Sequence, residues 1–224
     1  MRLPVLETED IQQSRTTSTT QRCYLQLREL ILTCMIAPGE KLKVEILRDT
    51  LNAGTAPIRE ALSLLTSDQL VERIDQRGFR TTEVSQAQFI EILRLRCSLE
   101  DMALRDSIAQ ADQQWEESVV LALHHVNRAD RNDVISFEEK HKRFHMQLLA
   151  RCQSPILLKF CEQLYDLNIR YRYLASKSPT YRQRNITDEH DRILDSAIEG
   201  NADAASEALL LHYRTTGEFL VENL

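Results

Sequence analysis

The sequence predicts a mostly α fold in two parts: a small N-terminal module of three helices and a hairpin, then an all-helical bundle. Three observations predict it. Apolar residues recur at helical spacing through most of the 224-residue chain. Strand-like alternation is confined to one stretch, "LVERIDQRGFRTTEV", at residues 70–84. Charge is divided unevenly: residues 15–82 hold ten Lys and Arg against eight Asp and Glu, whereas the whole chain carries −6 and all six histidines lie in the second half.

Taken in order, residues 1–20 are polar, rich in Ser, Thr and Gln, and read as a mobile arm. A helix is expected from about Gln21 to Cys34, with Leu25, Leu27, Leu30 and Ile31 facing inward. "APGEKL" stops it at Pro38-Gly39 with a turn. A second helix, Val44 to Leu51, ends at "NAG", where Gly54 is expected to take the left-handed conformation that closes a helix. "TAPIREALSLLTSDQL" opens the third: Thr55 is the expected cap, Pro57 suits the first turn, and Ile58, Ala61, Leu62 and Leu65 form its inward stripe. Two short strands follow around a turn at Gln76–Gly78. Three helices and a hairpin in this order spell a winged helix-turn-helix, assigned to residues 21–84. Beyond Ser85 no strand signal remains. Helical periods cover roughly 86–108, 112–128, 132–151, 155–176, 186–199 and 201–222, an all-α domain assigned to 85–224.

Composition excludes several classes. No apolar run approaches the roughly 18 residues of a membrane span, and the N-terminus lacks the apolar core of a secretion signal, so a cytoplasmic protein with no membrane partner is expected. The five scattered cysteines include no C-x-x-C pair and fit reduced, mostly buried thiols. A net charge of −6 argues against a uniformly basic nucleic-acid binder, which leaves DNA contact to the first module.

There, the second helix of a helix-turn-helix enters the major groove by its N-terminus. Thr55 and Arg59 lie one turn apart at that end. The hairpin offers Arg77 and Arg80 around Gly78, whose missing side chain lets the backbone approach a phosphate, and Lys41 and Lys43 suit phosphate contacts. Spacing alone leaves the alternative open: Arg59 paired with Glu60 or Glu45, and an ordinary solvated hairpin.

The histidines carry a second chemistry. In "HKRFH", His141 falls four residues after Phe137 and His145 four before Leu149, both on the inward stripe with Phe144 and Leu148, while Glu138, Glu139, Lys140, Lys142 and Arg143 are expected to cover the other faces. A pair at i, i+4 projects side by side, as chelation requires. His190 lies on the stripe Ile186–Ile193–Leu194–Ala197, with Thr187 as expected cap, and His212 on Ala205–Ala208–Leu209–Phe219. His124 and His125 are adjacent, so at most one points inward. A single inward histidine is usually a satisfied core residue, but four on three helices need a shared partner, and a divalent metal, Zn²⁺ or Ni²⁺, suits imidazole. Glu100 and Glu189 are candidate general bases, yet nothing pairs them with a nucleophile, so no enzyme is expected. Arg96 borders the stripe Phe89–Leu93–Glu100, and Asn168 and Arg172 face with Leu164 and Tyr171. These three could fix an organic acid; the alternative for Arg96 is an i, i+4 ion pair with Glu100, and for Asn168 and Arg172 an ordinary polar position.

"LRELILTCMIAPGEKL…APIREALSLLTSDQLVERIDQRGFRTTEV" resembles the GntR family of bacterial transcription regulators, whose recognition helix carries P-[hydrophobic]-R-E-A-L and whose wing carries a [KR]-G-[FY] turn. In that family the residue two before the proline is often an arginine that reads guanine; here it is Thr55, which shifts base recognition toward Arg59 and the wing. "EKHKRFHMQLLARCQSPIL", "DEHDRIL" and "LLLHYRTT" resemble the metal-binding segments of the FCD-type ligand domain of the FadR subfamily, with His141 where the pattern usually has Asp. Arg96 aligns with the arginine of that domain's V-R-x-x-L-E motif. Four neutral imidazoles leave a divalent ion at +2, which favours an anionic additional ligand.

The resemblance implies a homodimeric repressor that binds a palindromic double-stranded DNA operator and is controlled by a small carboxylate held between Arg96 and the metal. "RYRYL" and the His141 variant are similar to the branch that answers to dicarboxylates such as glutarate or 2-hydroxyglutarate. The alternative is a metal sensor or metal-dependent enzyme using the same histidines.

Overall fold

The computed structural model describes residues 18–176 and 185–222, in two compact units that divide between Val84 and Ser85. The first unit opens with α1 (Thr19–Leu32), capped by Ser18, whose side chain accepts from the Gln21 N–H. The helix therefore claims Thr19 and Thr20 from the expected arm, and residues 1–17 of that arm lie outside the described residues. Its buried face is Cys23, Leu27, Leu30 and Ile31. Leu25, expected inward, is 50% exposed, because residues two apart on a helix do not share a face.

The turn after α1 contains a strand that the sequence did not announce. β1 (Lys41–Leu42) pairs antiparallel with β3 (Gly78–Thr81), Lys41 opposite Arg80 and Leu42 opposite Phe79. β2 (Val71–Ile74) completes a sheet of order β1-β3-β2. Fully buried Thr81 ties the turn to the sheet: its hydroxyl donates to the Ala37 carbonyl at 2.7 Å and accepts from the Glu40 N–H at 2.9 Å. Between the strands lie α2 (Val44–Leu51) and α3 (Thr55–Ser67). The left-handed residue that ends α2 is Asn52, at φ 46°, rather than Gly54. Gly54, at φ −73°, occupies the N-cap position of α3, so Thr55 is the first helical residue and not the cap. Asparagine tolerates the left-handed region, and one such residue suffices to turn the chain.

The second unit comprises α4 (Gln86–Ala109), α5 (Gln113–Asn127), α6 (Val134–Leu148), α7 (Pro155–Ala175), α8 (Thr187–Ile198) and α9 (Ala202–Glu222). Side chains of Ser85, Asp112, Asp133 and Ser154 cap the first four, each worth about 1 kcal/mol. Thr187 does not cap α8; Asn185 Oδ1 accepts from the Thr187 N–H. Trp115, Val119, Leu123, Phe144, Leu148, Ile193 and Leu209 share the core, and the Trp115 indole N–H donates to the Gln147 carbonyl. α7 departs from an amphipathic pattern: every residue from Tyr165 to Tyr173 is buried, including Asp166, Asn168, Arg170 and Arg172. All five cysteines are free thiols. No helix among the described residues is long and apolar enough to cross a membrane.

Candidate metal centre and nucleic-acid interface

In the first unit α3 buries Ile58, Ala61, Leu62 and Leu65 and leaves Thr55 and Arg59 exposed at its N-terminal end. Lys41 and Lys43 are exposed around the start of α2. At the hairpin tip Gln76 (φ 55°) and Gly78 (φ 90°) take left-handed backbone, and a Cβ at Gly78 would meet nothing within 4 Å. The glycine is required by its backbone angle, and the space beside it is open to a partner. Arg77 is exposed, whereas Arg80 is half-buried and its Nε donates to Glu72 Oε1 at 2.7 Å. A bridge this wet is worth about 0–1 kcal/mol, so Arg80 can exchange Glu72 for a phosphate at little cost. Beside the α2–α3 turn, Arg22 and Arg48 line a shallow groove with Thr19, Asn52 and Gly54. The sequence reading passed over both arginines; their exposed spacing near the turn was the available signal.

In the second unit α6, α8 and α9 bring His141, His145, His190 and His212 together, all buried, with their candidate ligand nitrogens within 4.8 Å of one another. His141 Nε2 lies 3.1 Å from His190 Nε2 and 3.2 Å from His145 Nε2. Nitrogens bound to one Zn²⁺ at ~2.0–2.1 Å stand about 3.3 Å apart in a tetrahedron and about 3.0 Å apart as neighbours in an octahedron. The four buried histidines could therefore hold one divalent ion. Burial first, and then Arg172 and the neighbouring imidazoles, hold His141 well below the usual imidazole range. Burial and then His212 and His190 do the same to His145. Neutral imidazole is the ligating form. His124 and His125 are both exposed on α5.

Partners behind the ring orient it, as is common around metal-binding histidines. His212 Nδ1 lies 2.6 Å from Glu189 Oε2. His145 Nδ1 lies 3.0 Å from the Tyr213 hydroxyl, which in turn donates to Glu100. Glu189 and Glu100, weighed as general bases, thus sit behind histidines. Tyr165 and Arg172 stand behind His141, each 2.8 Å from Nδ1.

Glu138, expected on an outer face, is fully buried, and its Oε2 pairs with the Arg172 guanidinium at 2.6 Å. The reason is α7: its Tyr165–Tyr173 stretch is buried on every face and places cations against what would otherwise be the polar edge of α6. Arg96 and Glu100 form the i, i+4 pair, at 2.6 Å and nearly water-free. Arg96 also donates to Asn168 Oδ1 at 3.0 Å and stacks over Tyr213 and Tyr165. Burial is the largest single influence and works against its charge, but Glu100, Tyr213 and Tyr165 together outweigh it and raise the guanidinium pKa further. Arg96, Asn168 and Arg172 are brought together, with His212, around one cavity of about 10 Å³. One wall is tight: a Cβ on Gly217 would lie 2.4 Å from Leu93 Cδ2.

Comparison with known proteins adds family. Residues 19–80 match the model of bacterial regulatory proteins of the gntR family, and residues 91–215 match the FCD domain. The chain is 30% identical to the helix-turn-helix transcriptional repressor GlaR of Escherichia coli K12, across 89% of this chain and 94% of that one. It is 32% identical to the regulator BphR of Paraburkholderia xenovorans, across 89% and 84%. Among solved structures it is similar in fold to Escherichia coli McbR/YncC, with a TM-score of 0.81 at 20% identity over 92% of this chain and 99% of that one. A GntR regulator of Rhodococcus sp. RHA1 gives 0.76 at 20% identity over 93% and 100%.

Proposed function

The chain belongs to the GntR family of DNA-binding transcription regulators and carries an FCD domain, and from that premise we propose that it is a repressor whose operator affinity is set by a small carboxylate bound beside a divalent metal. The convergence of four buried imidazole nitrogens, three of the rings with oxygen partners at Nδ1, carries this reading. His141, His145, His190 and His212 would hold the ion, Zn²⁺ or Ni²⁺, which would supply a positive Lewis-acid site for one carboxylate. Arg96 and Arg172 line the same cavity, and two guanidinium groups match the two ends of a dicarboxylate such as glutarate or 2-hydroxyglutarate. Asn168 would hold Arg96 in place. In the other unit Thr55, Arg59, Arg77 and Gly78 would meet the operator, with Lys41, Lys43 and Arg80 on phosphates. A homodimer would present two such units to the half-sites of a palindromic operator.

Thermal melting against a panel of carboxylates, with metal-loaded and chelator-stripped protein, tests the reading. A ligand at ~100 times its Kd adds about 2.7 kcal/mol, or roughly 5–10 °C for a chain of this size. The expected result is that one dicarboxylate raises the Tm of the loaded protein only and changes its operator affinity. Stabilisation by metal alone would leave the acid without a role.

One observation favours that second reading, a metal sensor. A cavity of about 10 Å³ is at the lower limit for a single water. A dicarboxylate enters only if side chains at the cavity move, with Leu93 against Gly217 the closest-packed wall.

A further inference from the structure

His141 differs from the other histidines in what stands behind it. The Glu189 carboxylate facing His212 Nδ1 can only accept. The Tyr213 hydroxyl gives its proton to Glu100 and so accepts from His145 Nδ1. Both rings therefore carry their proton on Nδ1 and turn the Nε2 lone pair to the centre. Behind His141 the polarity is reversed. The Arg172 guanidinium, 2.8 Å from Nδ1, can only donate, so Nδ1 accepts and the proton sits on Nε2. That N–H points among the other imidazoles, 3.1 Å from His190 Nε2 and 3.2 Å from His145 Nε2. In this state His145 and His212 offer lone pairs and His141 offers a proton.

We infer that His141 and Arg172 form a latch that releases the Arg172 guanidinium when the histidine site is loaded. The inference rests on the metal reading above. His141 can ligate through Nε2 only with its proton on Nδ1; the ring keeps one proton throughout and stays neutral. An Nδ1–H confronts Arg172 donor to donor, and the guanidinium must withdraw, while the Tyr165 hydroxyl, 2.8 Å away, can stay and accept. Arg172 keeps Glu138 at 2.6 Å as counter-charge and Tyr165 at 3.4 Å and already lines the cavity with Arg96, so the N–H that His141 gives up can turn to a carboxylate there. Loading and carboxylate capture become one coupled event, and by linkage the carboxylate tightens metal binding as much as metal tightens the carboxylate. An aspartate at position 141 has no second nitrogen and could not report its loading in this way.

The first test uses the unaltered chain: proton–nitrogen correlation spectra of the histidine rings, chelator-stripped and then with Zn²⁺. The expected result is a His141 proton on Nε2 in the stripped protein and on Nδ1 after Zn²⁺, with His145 and His212 on Nδ1 throughout. A His141 proton on Nδ1 before loading overturns the latch and leaves the metal reading intact. Histidine signals indifferent to Zn²⁺ sink the metal reading, and the latch with it. The second test is chelator competition with the charge-neutral double variant Glu138→Gln/Arg172→Met. With no donor to displace, it is expected to bind Zn²⁺ roughly ten-fold more tightly than the unaltered chain, the worth of one charge-assisted hydrogen bond. Glutarate should tighten Zn²⁺ binding in the unaltered chain and not in the variant. Equal glutarate tightening in both proteins overturns the proposal.

Discussion

In the N-terminal unit Lys41, Lys43, Arg59 and Arg77 are exposed, and the one hairpin bridge, Arg80–Glu72, leaves its side chains 39% and 40% in water. In the C-terminal unit Arg96–Glu100 keeps 3% and 1%, and Arg172–Glu138 keeps 5% and 0%. The same residue types follow opposite rules. On the proposed reading the exposed cations would meet a large, hydrated polyanion, and loose holding would let Arg80 give up Glu72 without unfolding anything. Cations around a small cavity are held by several partners at once, because a buried charge without them would cost several kcal/mol. A mutation in the first unit should therefore change binding with little change in stability, and one in the second should change stability with or before binding.

The largest effect tests the buried side of that contrast. Arg96→Ala strands Glu100 and the Asn168 oxygen away from water, and a loss of about 3–5 kcal/mol is expected in denaturant unfolding. Glu189→Gln comes next. It replaces the carboxylate behind His212, and metal affinity measured by chelator competition should fall about 10–100-fold while the melting curve of the stripped protein barely moves. On the exposed side, Arg59→Ala should weaken operator binding by about 1–3 kcal/mol and relax base preference at one position, with the Tm unchanged. Lys41→Ala is the smallest: affinity drops for all sequences alike, and the salt dependence of binding loses about one unit of slope. If Arg59→Ala destabilised the chain by as much as Arg96→Ala, the division between loose and buried cations would fail.

How much of this was legible in the sequence depends on whether a residue answers to its own helix or to another. The bundle's helices and the inward placing of the four histidines were readable, because each is a matter of period along a single element. His141 and His145 stand out for the same reason: four residues is one turn. Glu138 was not readable. Its own helix assigns it to a polar edge, and only the burial of Tyr165–Tyr173 of α7 on every face turns that edge inward. Where a stretch such as Tyr165–Tyr173 is buried on every face there is no stripe to read: Arg172 was legible as an inward polar residue beside Asn168, but its place behind His141, and that of Tyr165, were not. β1 is two residues long, too short to alternate. The misplaced cap at Thr55 came from a choice between adjacent residues of similar capping preference, made by backbone angles; at Thr187 the cap position falls on Ile186, which no composition rule favours, and Asn185 serves the Thr187 N–H.

Gly217 turns out to be the molecule's ruler. With hydrogen where other residues have carbon, it lets the Leu93 side chain of α4 reach within 2.4 Å of where a Cβ would stand, on one wall of the cavity. Alanine, serine and valine at this one position would form a graded series of spacers, each pushing the Leu93 side chain aside by a little more. Such a series would convert the opening of the pocket from an event to be caught into a length that can be chosen.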